Sequence, residues 1–478
     1  MPARTITRAL LLTATALVMA LFSVPAASAA RNEVSIIDDQ LLLNASPGEL
    51  ESDMALFKRL GVDRLRVSAF WNQIAPDNLS RSKPAGFDGR NNLDERYAWG
   101  PLDRVISAAS RHNLRIMVSI STPAPVWASG DPSRDNPLWK PKAGEFADFS
   151  EAVVRRYASS VDHWGISNEP NQGVWLQPQS DKHGLVAPHL YRALVLASYP
   201  RIKAIDPTST ALVGELAASG RAGRGATRPI RPLLFLREMA CRNVKFKPIR
   251  TGRCRGFKPV PADAIGHHPY NLLQKPTNKS PNRYDAAIGD GRRLVRAIDR
   301  LTRLRAIKSG TGRRLNIFYT EFGYQTSPPD PFAGVTLGQQ RLYLQQAAYQ
   351  AYRTPRVRGL NQFRLSDGAI TGKGLRRFQE FQSGLLFRNR KPKPAYSVFA
   401  HPFVITGSRF WGQVRPGGAH KVRVERKATT RGRWRLVAQV PTSGAGYFSF
   451  RLPGRKPGYY RYRYDQPAGT SGAVRVRR

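Results

Sequence analysis

Two glutamates occupy equivalent places in the sequence, because each follows closely on a short apolar run. Glu169 comes after Asp162–Ser167, and Glu321 comes after Asn316–Thr320. Two carboxyl groups that face one cleft can cleave a glycosidic bond: one donates a proton to the leaving oxygen, and the other attacks the anomeric carbon as a carboxylate. Their repulsion helps to separate their pKa values, which suits the two roles. A single glutamate here is equally compatible with a structural ion pair or a helix cap.

The stretch from about residue 34 to 400 alternates short apolar runs with amphipathic segments, which is typical of parallel strands covered by helices. We predict eight strands, at Val34–Leu43, Arg64–Phe70, Arg115–Ser121, Asp162–Ser167, Ala211–Glu215, Asp263–His268, Asn316–Thr320 and Gly359–Leu365. We predict helices from a capping box at Ser46 to Gly61, and at Leu102–Arg111, Phe146–Ser159, His189–Ala204, Ile230–Ala240, Ala286–Ile307, Leu337–Arg353 and Pro394–Phe399.

Eight strands that are each followed by a helix predict an α/β chain closed into a (β/α)8 TIM barrel. The alternative is an open, doubly wound sheet, but residues 43–48 read LNASPG and lack the GxGxxG turn of its dinucleotide-binding form. A barrel carries its chemistry at the carboxyl ends of its strands. Because strands four and seven lie on roughly opposite sides of the ring, Glu169 and Glu321 are expected to meet at about 5–5.5 Å, the separation of a retaining glycosidase.

Residues 401–478 lack helical periodicity and carry 17 Lys and Arg against two acidic residues. We predict strands at Lys421–Arg426, Trp434–Val440, Tyr447–Leu452, Tyr459–Tyr464 and Val474–Arg477, and hence a small all-β sandwich of the immunoglobulin or fibronectin type III kind. Residues 460–464 read YRYRY, which puts cations on one strand face and rings on the other. That basic face is either a solvated surface or a docking face for an anionic cell-wall polymer.

Residues 1–29 have the pattern of a secretory signal peptide. Arg4 and Arg8 are followed by an apolar stretch, Ala9–Phe22, and by a small-residue cleavage site at Ala27–Ala29. The apolar stretch is shorter than the about 20 residues that span a bilayer. We therefore expect a secreted protein without a transmembrane segment after cleavage, with an uncleaved anchor as the alternative. The domain boundaries are then 1–29, 30–400 and 401–478.

The chain has a net charge of +43, and 41% of its residues are hydrophobic. This apolar content excludes a disordered polyelectrolyte. An exported basic protein meets anionic polymers rather than nucleic acid, and no nucleic-acid recognition motif is present. We expect a monomer whose partners are a saccharide substrate and, through residues 401–478, an anionic polymer.

Cys241 and Cys254 lie 13 positions apart and are the only two cysteines. In an oxidising compartment we expect a local disulfide, with two free thiols as the alternative. Two cysteines exclude a four-cysteine zinc or iron–sulfur site, and no cluster of His, Asp and Glu has metal-ligand spacing, so we expect no cofactor and no catalytic metal. Ser167 does not lie in a GxSxG elbow, which leaves serine hydrolase chemistry unsupported.

The segments Asn168–Pro170 and Thr320–Gly323, which read NEP and TEFG, resemble motifs of clan A glycoside hydrolases. This group of (β/α)8 enzymes includes cellulase-like family 5 enzymes and family 39 xylosidases, and the resemblance covers roughly residues 34–400. It implies that Glu169 is the acid/base and Glu321 the nucleophile. It also implies that Asn168 hydrogen-bonds the 2-hydroxyl of the sugar that is cleaved.

Other positions extend the resemblance. His268–Tyr270 resembles the His-x-Tyr of the clan, which implies that Tyr270 orients Glu321. Arg66 resembles the arginine that keeps the nucleophile ionised, and Lys393–Tyr396 resembles the start of the final helix. Two positions depart from the pattern: residues 359–367, GLNQFRLSD, lack the tryptophan under the sugar, and strand three lacks the histidine of many family 5 members.

Four tryptophans on expected strand-end loops have flat faces that suit sugar rings: Trp71, Trp127, Trp139 and Trp175. Core packing is the alternative for each, and His267 is expected to be a packed histidine rather than a ligand. Together these observations predict an exported retaining hydrolase that acts on O-glycosidic bonds of a polysaccharide or oligosaccharide. A non-catalytic carbohydrate-binding barrel and a transglycosylase that uses the same two glutamates remain open.

Overall fold

A computed structural model describes residues 32–477, so the predicted signal peptide lies outside the described residues. Eight parallel strands close into a barrel, each hydrogen-bonded to the next along the chain and the last to the first. They are β1 Glu33–Ile37, β2 Arg64–Phe70, β3 Arg115–Ser121, β4 His163–Ile166, β5 Thr210–Ala217, β6 Ala264–His268, β7 Asn316–Phe322 and β8 Val357–Phe363. The predicted TIM barrel is confirmed, and the open sheet is wrong.

Helices cover the outside of the barrel: α1 Pro47–Arg59, α2 Gly100–Arg111, α3 Ala143–Tyr157, α4 Ala187–Ile205, α5 Pro232–Met239, α6 Gly291–Arg303, α7 Leu337–Arg353 and α8 Tyr396–Phe399. The predicted capping box begins α1, where Ser46 and Glu49 bond to each other's backbone N–H. Helix α6 is shorter at both ends than the predicted Ala286–Ile307, and Ile307 lies in a short strand, Ile307–Ser309, that pairs with Val260–Ala262. None of the helices in the described part of the chain has the length and apolar content to cross a membrane.

The first strand is also shorter than predicted, since it ends at Ile37 and not at Leu43. A helical turn, Asp39–Leu42, follows it, and the Asp38 carboxylate accepts the N–H of Leu41 at 3.4 Å to cap that turn. The turn buries Leu42, so the apolar residues after Asp38 pack in a helical turn and not in a sheet.

Residues 403–476 form two antiparallel sheets. The three-stranded sheet contains β9 Phe403–Thr406, β10 Arg409–Gln413 and β13 Tyr447–Arg451. The five-stranded sheet contains β11 Lys421–Lys427, β12 Arg435–Pro441, β14 Gly458–Asp465, β15 Ala468–Thr470 and β16 Val474–Val476. Periodicity alone missed the short strands β9, β10 and β15. The all-β prediction is confirmed, whereas an immunoglobulin or fibronectin topology stays a prediction.

The two sheets share a buried apolar cluster to which β14 contributes alternate residues. Tyr460, Tyr462 and Tyr464 are buried in it, while Arg461 and Arg463 between them are half-buried on the opposite face. The predicted separation of rings and cations is therefore confirmed.

The sheets pack against the outside of the barrel. Trp411 of β10 is wholly buried, and its ring centroid lies 5.3 Å from that of Tyr349 and 5.6 Å from that of Tyr352 on α7. The hydroxyl of Tyr447 donates to the carbonyl of Asn32, just before β1, at 3.0 Å. This contact lies at the amino-terminal end of the barrel, opposite the strand ends that carry Glu169 and Glu321.

Cys241 and Cys254 form a disulfide, which confirms the predicted pairing. It joins the end of α5 to the loop before β6, with 5.7 Å between the two Cα atoms. The bond closes the basic loop CRNVKFKPIRTGRC on the outside of the barrel.

Candidate active site

The carboxyl ends of the barrel strands surround a cleft of about 530 Å³. Glu169, three residues after β4, and Glu321, within β7, both line it, with 18% and 11% of their side chains exposed. Their nearest carboxylate oxygens lie within 4.8 Å of each other. The structure therefore brings the two predicted glutamates together at one opening, which Asn168 and Tyr270 also line.

An unusual backbone path carries Glu169 into the cleft. Ser167 and Glu169 have φ angles of +65° and +37°, in the left-handed region that non-glycine residues seldom adopt. Two hydrogen bonds hold the path in place: Ser167 N–H to the carbonyl of Ile120 at 2.8 Å, and Glu169 N–H to the carbonyl of Glu215 at 3.1 Å. Strained residues of this kind persist where the surrounding structure holds them, commonly at functional sites.

Arg66, wholly buried on β2, connects the groups of the site. Its Nη1 donates to Oε1 of Glu321 at 2.8 Å, and its Nη2 donates to Oδ1 of Asn168 at 2.9 Å and to Glu215. Because the amide oxygen of Asn168 is taken, its NH2 group is the part left to bind a ligand. The permanent charge of Arg66 favours the carboxylate form of Glu321.

His268 lies between the glutamates at the end of β6. Its Nδ1 is 2.9 Å from Oε1 of Glu169 and 3.5 Å from Oε2 of Glu321. Burial by itself lowers the pKa of His268, but the carboxylates of Glu321, Glu169 and Glu215 outweigh burial and raise that pKa to about 9. The ring is therefore an imidazolium at neutral pH, and its Nδ1–H donates to Oε1 of Glu169.

The two cleft glutamates have different surroundings. Glu321 is bonded on both oxygens, by Arg66 on Oε1 and by the Tyr270 hydroxyl on Oε2 at 3.1 Å. Burial raises the pKa of Glu321, and the positive charges of His268 and Arg66 oppose that shift. Glu169 is more exposed, lines the cleft, and contacts His268 through Oε1. The arrangement offers one fixed carboxylate and one that can exchange a proton with a ligand.

Glu215 is a member of this cluster that sequence reasoning missed. Its carboxylate is fully buried and contacts Arg66 and Ser119, and the positive charges of Arg66 and His268 lower its pKa against the effect of burial. A charged residue inside the apolar run TALVGELA was the signal available in the sequence. Arg66 and His268 thus face the carboxylates of Glu169, Glu215 and Glu321, and Asp39 is a further buried carboxyl group beside Arg66.

Aromatic side chains form two walls of the cleft. Trp175 stacks on Phe70, with 6.3 Å between ring centroids and 10° between planes, so the predicted position of Trp175 in the cleft agrees with the structure. Phe363 and Phe381 line the cleft with ring centroids 5.3 Å apart. Phe363 lies at the end of β8, where the clan resemblance leads one to expect a tryptophan. Phe70 and Phe381 were missed by sequence reasoning.

Trp71 and Trp127 do not line the cleft, so their prediction as sugar platforms is wrong. They are 1% and 3% exposed, and their ring centroids lie 6.2 Å apart. Trp71 begins a short helix after β2, and its ring stacks on Phe149 of α3 at 5.8 Å, between barrel and helix. Trp139 lies outside the cleft, with Arg134 4.4 Å above its ring.

His267, the neighbour of His268, is buried beside the carbonyl of Ala286, with 2.6 Å between Nε2 and that oxygen. Burial lowers the pKa of His267 to about 4, so this ring stays neutral at physiological pH. It is a packed histidine, as the sequence predicts.

The ligand atoms of Glu169, His268 and Glu321 lie within 4.8 Å of one another, a spacing that could also hold a metal ion. The permanent charge of Arg66, which is bonded to Glu321, acts against a cation at this point.

No protein-family model matches this chain. A segment of 114 residues is 30% identical to endo-1,4-beta-xylanase B of Cellvibrio japonicus, and the match covers 24% of this chain and 17% of that protein. The chain therefore spans about a sixth of the length of this curated relative.

Solved structures give a longer match. A family 39 glycoside hydrolase from the gut symbiont Bacteroides cellulosilyticus WH2 has a TM-score of 0.53 and 14% identity, covering 88% of this chain and 79% of its own. A glucosidase from Croceicoccus marinus has a TM-score of 0.51 and 12% identity, and the match covers 88% of this chain and 94% of the glucosidase. At these identities the similarity establishes a shared fold, the closed (β/α)8 barrel.

Proposed function

We propose that this protein is a retaining glycoside hydrolase that cleaves O-glycosidic bonds of a polysaccharide or oligosaccharide. The proposal rests on one observation: Glu169 and Glu321 face the same cleft with oxygens within 4.8 Å, and Arg66 and Tyr270 hold one of them. Oxygens no more than 4.8 Å apart are compatible with the about 5–5.5 Å between the carboxyl groups of retaining enzymes. The fold shared with a family 39 glycoside hydrolase and a glucosidase supports it.

In the first step Glu321 attacks the anomeric carbon and forms an ester, while the bond from that carbon to the glycosidic oxygen breaks. The leaving oxygen takes the proton of Glu169. Arg66 and Tyr270 hold the attacking carboxylate in place, and the NH2 group of Asn168 is free to bond the sugar 2-hydroxyl. In the second step Glu169, now a carboxylate, takes a proton from water, whose oxygen attacks the same carbon and releases Glu321.

The test is a panel of aryl glycosides and of plant, fungal and bacterial polysaccharides. The unmodified protein should release sugar with retained configuration, and Glu321→Ala should nearly abolish turnover of an activated aryl glycoside. Azide should restore that turnover, because it can replace the missing nucleophile. Glu169→Gln should impair substrates with poor leaving groups most, because these need the proton. Glu51→Gln, on the outside of α1, serves as the control with full activity.

Three results would change the assignment. Full activity in Glu321→Ala would remove Glu321 from its role. Saturable glycan binding without product over the whole panel would favour the non-catalytic barrel. Transfer of the sugar to an acceptor in preference to water would favour the transglycosylase, which uses the same two glutamates.

We further propose that the protein is exported and acts as a monomer. The signal-like residues 1–29 and the Cys241–Cys254 disulfide support export, because disulfides persist in oxidising compartments. N-terminal sequencing of protein collected outside the producing cells should begin just after Ala29. A chain that starts at Met1 and stays with the membrane fraction would favour the anchor. Light scattering at micromolar concentration should give the mass of one chain.

The outer face of the five-stranded sheet is proposed to dock on an anionic polysaccharide. Trp434 lies between two cations, 4.9 Å from Lys427 Nζ and 4.2 Å from the Arg461 guanidinium carbon, and Tyr459 continues the surface. Rings of this kind stack on sugar faces, and arginines pair with carboxylates. Other cations on this face are Lys421, Arg423, Arg463 and Arg475.

Affinity electrophoresis tests this docking face. Gels that contain polygalacturonate should retard the protein, neutral dextran should not, and added salt should weaken the effect. The double variant Trp434→Ala/Arg461→Ala should lose most of the retardation, whereas Arg451→Ala, on the other sheet, should keep it. Equal retardation of both variants would contradict the assignment of this face.

A further inference from the structure

Glu215 is a buried carboxylate that no step of the proposed reaction uses. It lies in β5 at a register shift between Gly214 and Leu216, where the strand pairs with β6, and its φ angle is +46°. A residue at such a bulge is left out of the regular pairing, so its side chain can be redirected. In this case it points into the barrel, towards Arg66 of β2 and Ser119 of β3.

Two glycines on the neighbouring strands make room for this side chain. A Cβ atom added at Gly165 of β4 would overlap Oε1 of Glu215, and one added at Gly266 of β6 would lie 2.5 Å from its Cγ. Any other residue at either position would displace Glu215. The barrel interior is therefore built around this carboxylate.

Three strands present polar side chains to the Glu215 carboxylate, and a helix bonds the residue before it. Arg66 comes from β2, and Ser119 from β3 donates its hydroxyl at 2.9 Å to Oε1. His268 from β6 has its Nε2 3.8 Å from Oε2. Tyr191 from α4 accepts the N–H of Gly214 at 2.6 Å. Beyond Arg66 and His268 lie the other charged groups: Asp39, Glu169 and Glu321.

We propose that Glu215 is a positioning residue for the glycosidase chemistry: its carboxylate hydrogen-bonds Arg66 and places a negative charge 3.8 Å from His268, and its backbone carbonyl holds Glu169. The expected effect on catalysis rests on the proposed function, whereas the anchoring itself is argued from the contacts of Glu215. Arg66 bonds Glu321, and His268 bonds Glu169. Both cleft glutamates therefore depend on cations that lie beside the buried Glu215 carboxylate. Glu215 itself does not line the cleft.

Glu215→Gln isolates the charge, because the amide keeps the shape of the side chain and the backbone bond to Glu169. The first readout is an NMR titration of the His268 ring in the folded protein, which needs no turnover. The unmodified protein should keep His268 as an imidazolium at pH 7. Glu215→Gln should lower the titration midpoint of His268 by at least about one pH unit, which is a tenfold loss of proton affinity.

Glu51→Gln is the matched control, since Glu51 faces a histidine ring on the outside of the barrel, 2.8 Å from His112 Nε2. It should leave the His268 midpoint unchanged. A neutral His268 at pH 7 in the unmodified protein overturns the inference without any variant. An unchanged midpoint in Glu215→Gln overturns it as well.

The second readout is kinetic. Because Glu215 does not reach the substrate, Glu215→Gln should lower kcat by about tenfold or more and leave KM within about twofold. A rise in KM at constant kcat would contradict a positioning role. If the unmodified protein showed no glycosidase turnover, the proposed function would be contradicted. The His268 titration would still decide whether Glu215 anchors the site.

Discussion

Arg66 and Glu321 form a buried ion pair at the mouth of the barrel, with 2.8 Å between Nη1 and Oε1 and the arginine wholly enclosed. The same guanidinium bonds Asn168 and Glu215, so one side chain of β2 connects strands β4, β5 and β7. An arginine can do this because its planar group carries five N–H donors, whereas a lysine offers a single charged point.

Arg66→Lys should therefore lower kcat/KM by about 100-fold, since a truncated partner leaves buried carboxylates without their donors. Steady-state kinetics on an aryl glycoside measure this loss. Arg64→Lys is the matched control: Arg64 lies on the same strand, is equally buried, and pairs with Glu33 and Asp162 at the other end of the barrel. Arg64→Lys should lower the free energy of unfolding and leave kcat/KM unchanged. Equal loss of kcat/KM in both variants would count against the role of Arg66.

The charge of His268 predicts how stability changes with pH. The folded protein raises the pKa of His268 from 6.5 to about 9. Protonated His268 therefore contributes about 3 kcal/mol to the free energy of unfolding. This contribution is complete below pH 6.5 and is lost as the pH rises to 9. His267 and His401, whose pKa values burial lowers to about 4, titrate below this window.

Urea unfolding at pH 6.5 and at pH 9 measures this effect. The free energy of unfolding should be lower at pH 9, and His268→Gln should remove most of the difference. A free energy that stays constant or rises over this interval would show that His268 is not charged in the folded protein.

Trp71 and Trp175 should respond in opposite ways to removal of their rings. Trp71 is buried between barrel and α3, so Trp71→Ala should lower the free energy of unfolding by about 3–5 kcal/mol. Trp175 lines the cleft, so Trp175→Ala should raise KM for an oligosaccharide by about fivefold to tenfold with little loss of stability. Chemical unfolding and initial rates separate the two, and an unchanged KM in Trp175→Ala would exclude this ring as a sugar platform.

The Cys241–Cys254 disulfide should stabilise the fold without affecting the site, since neither cysteine lines the cleft. Replacing both by serine should cost about 3 kcal/mol, the value for closing a loop of this size. Unfolding with and without reductant measures it. Reductant should destabilise the unmodified protein and leave the double variant unaffected; sensitivity of both would point to another cause.

The sequence by itself determined the order of strands and helices in the barrel and the place of Glu169 and Glu321 on its rim. Apolar periodicity, the capping box at Ser46 and the turns between runs are local properties that the folded chain keeps. The carboxyl ends of parallel strands share one edge of a barrel, so strand order alone implied that the two glutamates meet. The pairing of Cys241 with Cys254 was equally local.

Only the tertiary structure decided where individual side chains point. Trp71 and Trp175 both follow barrel strands, yet the ring of Trp71 turns into the core because α3 supplies Phe149 for it to stack on. Glu215 reads as the end of an apolar strand, and a bulge together with the space beside Gly165 turns it inward.

The contacts that make the site join residues far apart in the chain: Arg66 is 149 positions from Glu215 and 255 from Glu321. Periodicity reports which face of an element is apolar, over a few residues at a time. Periodicity carries no information on which side chains from distant parts of the chain come into contact. Those contacts are decided by packing and charge pairing between strands, which exist only once the barrel has closed.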